Sequence, residues 1–159
     1  MYAHGVPGTV VVGVDGSPAS QEALRWAAEE ARLRDARLVA VFAWTFVPPA
    51  PMAEPGMIPM PAMDFPGQLE AERSAAEEEF HAAVDETFAA GPAPVEIERR
   101  LVEGDPADVL EAESRGADLV VVGSRGRSGI AAALLGSVSK HVVDHAECPV
   151  VVVKAPREA

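Results

Sequence analysis

The chain has 159 residues, 48% of them hydrophobic and 24% charged, which suits one globular domain spanning 1–159. A formal net charge of −12 argues against binding nucleic acid, and a single cysteine, Cys148, excludes an intrachain disulfide. No apolar run approaches the ~20 residues that span a bilayer, and Met1 to Gly5 lack the basic-then-apolar order of a leader, so a cytoplasmic protein without membrane contact is expected.

Thr9 to Val14 is an apolar, mostly β-branched run, as expected of a strand buried on both faces. Asp15-Gly16-Ser17-Pro18 then combines a turn with a helix start, Ser17 serving as cap and Pro18 as the first helical residue. Leu24, Ala27, Ala28 and Ala31 share one face of that helix, with Glu29 and Glu30 off it. Arg37 to Trp44 is the second expected strand. Val47 to Gly67 holds seven prolines and four methionines without periodicity, which predicts a mobile or functional loop with adaptable apolar contacts. Helix resumes over Gln68 to Ala90, with Leu69, Ala76, Phe80, Ala83, Val84 and Thr87 along one face, and Gly91-Pro92 ends it. Val95 to Val102 alternates apolar and charged residues and predicts an exposed edge strand.

Asp105-Pro106 starts a third helix, closed near Gly116, and Leu119 to Gly123 forms the fourth strand. A last helix covers Ser137 to about His145, Pro149 to Lys154 is the fifth strand, and Pro156 onward reads as a frayed tail around a core of about 8–155. There is no internal repeat. Strands alternating with helices specify an α/β fold with a parallel sheet, and its ligands lie beyond the carboxyl ends of the strands. The strand order is not legible from the elements.

Gly123-Ser124-Arg125-Gly126 follows a buried strand, and Gly136-Ser137 leads into a helix. Glycines permit positive φ and let backbone N–H groups approach an anion. A helix start adds unpaired N–H groups and partial positive charge. Ser137 and Ser139 bring hydroxyls to the same place. No Gly-Lys-Ser/Thr follows, and the only lysines are Lys140 and Lys154, so this is not a Walker A loop; nor is it Gly-x-Gly-x-x-Gly. The full spacing, Gly-x2-Gly-x9-Gly-Ser over Gly123, Gly126, Gly136 and Ser137, is far more restrictive. It resembles the nucleotide motif of the ATP-binding subgroup of the universal stress protein family. The likeness runs over nearly the whole chain: Val10 to Ser17 resembles the family's first strand and acidic turn, and Cys148 to Val153 its last strand.

The resemblance implies an open five-stranded parallel sheet of order 3-2-1-4-5 with helices on both faces, Rossmann-like and similar to the adenine nucleotide alpha hydrolases. Asp15 and Gly123 would then face each other across one crevice. The implied ligand is ATP with Mg²⁺, the metal held largely by phosphate oxygens and water. Asp15 would touch adenine or ribose, although an aspartate before glycine commonly bonds the next N–H groups, here Gly16 and Ser17. The backbone of Ala43 would bond adenine, or simply pair in its strand. Gly123, Gly126 and Gly136 would cradle phosphate, with the N–H of Val138 and the hydroxyl of Ser139 at the terminal phosphates. Ser137 is either a phosphate ligand or a helix cap. Arg125 and Arg127 form a small basic island that suits phosphate, though loop arginines are more often solvated.

His141 and His145, one turn apart, could hold a metal, but no third ligand has suitable spacing, and a histidine near a helix C-terminus is favourable anyway. Cys148 suits an inert core thiol, and Trp26 and Trp44 suit core or crevice walls. The implied function is an ATP-binding universal stress protein, a nucleotide-dependent stress-response and signalling module. It would be homodimeric through strand 149–154, with unidentified regulatory partners and the Pro/Met segment as a lid or dimer contact. A slow ATP hydrolase or adenylyl-transfer enzyme is the alternative; against it, Asp15 is expected at the base end, leaving no general base near the loop. A nucleotide-free scaffold comes third, since the motif is complete.

Overall fold

The computed structural model describes residues 7–48, 64–126 and 135–155. Strands and helices alternate through β1 (Thr9–Gly13), α1 (Pro18–Arg34), β2 (Arg37–Trp44), α2 (Phe65–Thr87), β3 (Ile97–Glu103), α3 (Pro106–Ser114), β4 (Leu119–Gly123), α4 (Ser137–His145) and β5 (Val150–Val153). All neighbouring strands are parallel, in the order β3-β2-β1-β4-β5.

Valine-rich central strands allow this, because every second residue enters a different core. Val10, Val12 and Val121 pack with Leu24, Ala27 and Ala31 of α1 and Phe80 and Val84 of α2. Val11, Val120 and Val122 pack instead with Val109 and Leu110 of α3 and Val142 of α4. The four alanines of α1 at 23, 27, 28 and 31 have no exposed surface, so this helix lies close on the sheet. Both expected caps form: Ser17 Oγ accepts the Ser20 N–H at 3.2 Å, and Asp105 Oδ1 accepts the Ala107 N–H at 2.9 Å. β3 is an edge strand, as its alternation implies, and β5 is the other.

Three expectations change. Phe65 to Gly67 is helical rather than loop, because Asp64 caps the Gly67 N–H at 3.0 Å and Pro66 stands in the first turn, where it removes no needed donor. α2 therefore runs from Phe65 to Thr87, not from Gln68 to Ala90. Leu69 is 37% exposed, since burial on α2 begins only at Ala76. Trp26 is also 37% exposed, two residues from Leu24 and thus turned away from the sheet, whereas Trp44 is half-buried against the first core. Residues 49–63 of the Pro/Met segment and the tail from Pro156 lie outside the described residues.

Phe80 is 1% exposed and stacks on Phe42 with centroids 5.4 Å apart. Phe80→Ala should cost about 3–5 kcal/mol in urea unfolding, whereas Leu33→Ala on the exposed face of α1 should cost less than about 0.5 kcal/mol. Equal losses would contradict the assigned core.

Candidate functional site

β1 and β4 lie side by side in the sheet, paired through Val12 and Val121, and end at Gly13 and Gly123. Their following turns open a crevice of about 490 Å³, walled by β2 and by the starts of α3 and α4. Among the expected residues, Asp15, Ala43, Gly123, Arg125, Gly126, Gly136, Ser137, Val138 and Ser139 all line it. Arg127 lies outside the described residues.

The first turn is built by short polar side chains. Asp15 Oδ1 accepts the Ser17 N–H at 2.9 Å, the Asp15 N–H donates to Ser20 Oγ at 3.2 Å, and Gly16 adopts φ 78°. Of the two N–H groups expected on the Asp15 carboxylate, only that of Ser17 is bonded there. Asp15 Oδ2 lies only 3.0 Å from where a Cβ on Gly126 would stand. A carboxylate therefore sits against the glycine loop.

The loop glycines do not take the positive φ expected of them. Positive φ occurs among the described glycines only at Gly16 and Gly104. Gly123 is required by space: a Cβ there would come 2.7 Å from the carbonyl carbon of Ala19 in α1. At Gly136 a Cβ would meet nothing closer than 3.5 Å.

Hydrogen bonds hold the ends of the loop. Ser139, 3% exposed, donates its Oγ–H to the Gly123 carbonyl at 2.8 Å, and the Gly136 N–H donates to the Ser124 carbonyl at 2.7 Å. Ser17 Oγ reaches the Arg125 carbonyl at 3.4 Å. The hydroxyl proton of Ser139 is thus already committed to the loop.

The N-cap of α4 is Gly136, with φ −69° and ψ 167°, so Ser137 is the first helical residue and not a cap. The first helical bond runs from the Lys140 N–H to the Gly136 carbonyl at 3.0 Å. The N–H groups of Ser137, Val138 and Ser139 precede it and point out of the helix start, where an anion is favoured. Ala43 lies two residues past Val41, the last β2 residue in register with β1, and so borders the crevice.

Sequence reasoning missed the opposite wall, made by Asp105, Pro106 and Leu110. Its signal was the Asp-Pro helix start after β3, which joins the crevice only once the strand order is known. Sequence reasoning also missed Glu111, which supplies the third potential ligand beside His141 and His145. Cys148 is half-buried rather than fully in the core, and desolvation pushes its thiol up.

The universal stress protein family model matches residues 8–154. A universal stress protein of Mycobacterium tuberculosis is 40% identical over 146 residues, covering 91% of this chain and 45% of that protein. The chain thus spans about half the length of the curated relatives it matches. A crystal structure of a universal stress protein in complex with cAMP is 32% identical, with TM-score 0.61 and coverage of 96% of this chain and 100% of that one. A universal stress protein from Archaeoglobus fulgidus in complex with dAMP is 26% identical, with TM-score 0.58 and coverage of 94% and 100%.

The two glycines should respond differently to one added methyl group. Gly123→Ala should destabilise the ligand-free protein by about 1–3 kcal/mol, and Gly136→Ala, which meets no clash but replaces a favoured N-cap residue, by less than about 1 kcal/mol. Thermal melts without nucleotide read both, and a silent Gly123→Ala would contradict the packing described.

Proposed function

The chain belongs to the universal stress protein family, and from that membership and the crevice geometry we propose that it binds ATP with Mg²⁺ as a nucleotide-dependent module of stress signalling. The observation that carries this is the convergence, in one crevice, of the bare backbone of Gly126 and the N–H groups at the start of α4 that have no partner within the helix. Such groups suit a polyanion. The crevice volume also falls in the ordinary range for small-molecule sites.

In this proposal adenine lies along Val41 and Ala43, and its ribose meets Asp15. Phosphates lie against Gly123, Gly126 and Gly136, with the N–H groups of Ser137 and Val138, the Ser137 hydroxyl and the charges of Arg125 and Arg127. Ser139 holds the loop through the Gly123 carbonyl, so its backbone N–H rather than its hydroxyl is left to face phosphate. Mg²⁺ supplies charge neutralisation when bound. The domain acts in the cytoplasm. It pairs with a second copy through β5, whose four half-buried valines lie on a sheet edge. Regulatory partners respond to the nucleotide state.

One observation favours slow hydrolysis as a second reading: Asp15 Oδ2 stands beside Gly126, within reach of orienting a water near phosphate. Turnover above about 1 s⁻¹, an ordinary enzyme rate, that disappears in Asp15→Asn would make hydrolysis the primary function.

Protein purified without added nucleotide should carry an adenine nucleotide identifiable by mass spectrometry. In titration calorimetry, Gly126→Val and Ser137→Ala should each weaken ATP binding by about tenfold or more, the scale of one lost hydrogen bond. Ser137→Ala should leave ligand-free stability unchanged, because its hydroxyl is not the cap. Unaltered ATP affinity in both variants would overturn the assigned loop.

A further inference from the structure

α3 and α4 lie on the same face of the sheet, and they gather three metal-binding side chains away from the crevice lining. His141 and His145 stack their rings with centroids 4.2 Å apart. Glu111 reaches across from α3 and places Oε2 2.7 Å from His141 Nε2. Candidate ligand atoms from all three residues lie within 4.8 Å of one another.

The surrounding bonds orient these groups. His145 Nδ1–H donates to the His141 carbonyl at 2.9 Å, which sets its tautomer and leaves the Nε2 lone pair available. Metal-bound histidines are commonly fixed in this way, the ring nitrogen away from the metal donating to a backbone carbonyl. Glu111 Oε1 faces Arg115 at 3.5 Å, and Arg115 is held in turn by Glu147 at 3.0 Å, so Oε2 is the oxygen turned to the histidines.

We propose that Glu111, His141 and His145 form a three-ligand site for Zn²⁺ or a similar late first-row divalent ion, clipping α3 to α4. Two imidazoles and one carboxylate are zinc donors, with the fourth position left to water. The metal would replace the proton between His141 and Glu111. Their 2.7 Å contact would open to about 3.3 Å, the edge of a tetrahedron with ligands 2.0–2.1 Å from zinc. A histidine–glutamate hydrogen bond that merely ties the helices together would account for Glu111 and His141. It would not need the ring of His145 in the same cluster.

Zinc chloride titrated into the full metal-freed chain tests this by calorimetry and thermal melts, without nucleotide. One Zn²⁺ should bind per chain and raise Tm. His145→Ala and Glu111→Gln should each weaken binding by more than about tenfold. His4→Ala, His81→Ala and Cys148→Ser, which remove zinc-binding groups outside the cluster, should leave it unchanged. The Co²⁺-loaded chain should give a tetrahedral visible spectrum that His145→Ala abolishes, a readout independent of folding stability. No saturable Zn²⁺ binding, or binding that survives His145→Ala, would overturn the site.

Discussion

The site depends on how closely the end of β4 approaches the start of α1: the backbone of Ala19 occupies the space that a side chain at Gly123 would need. At the same residue the carbonyl oxygen accepts the buried Ser139 hydroxyl, so Gly123 is pressed by α1 on one side and bonded to α4 on the other. The described ends of the loop, Ser124 to Gly126 and Leu135 to Gly136, are held by contacts within the chain itself, among them the Gly136 N–H donating to the Ser124 carbonyl. The strand order β3-β2-β1-β4-β5 makes the arrangement possible, because only β1 and β4 as neighbours bring Asp15 and Gly123 to one crevice.

An acidic chain with a net charge of −12 is an unlikely host for a polyanion on charge alone. The crevice even carries carboxylates of its own, Asp15 and Asp105. Asp105 spends one oxygen on capping α3, and Asp15 spends one on its own turn, so both are fixed by backbone donors. What favours an anion here is local and directional: the N–H groups at the start of α4 that have no partner within the helix, and the helix dipole. Selectivity built from such donors reads geometry more than total charge.

Much of this was legible in the amino-acid order because it is locally encoded. The valine runs of β1 and β4 require a doubly covered sheet, and Ser17-Pro18 and Asp105-Pro106 mark helix starts through capping chemistry that needs no distant partner. Phe65-Pro66-Gly67 misled because proline and glycine break helices in their interiors but are tolerated in a first turn behind an aspartate cap. Trp26 misled because its bulk suggests burial while its position on α1 turns it outward. The steric need for Gly123 was not legible, since its close approach to α1 cannot be seen without knowing that β4 neighbours β1. Glu111 had no local signature at all, lying thirty residues from His141 in sequence and joined to it only by the packing of α3 on α4.

A crystal structure of the chain with ATP and Mg²⁺ tests the central claim most directly. The account requires triphosphate oxygens within hydrogen-bonding distance of the N–H groups of Gly126, Ser137 and Val138, with Gly123 still against Ala19. Triphosphate bound elsewhere, or no bound nucleotide at saturating concentration, would contradict it.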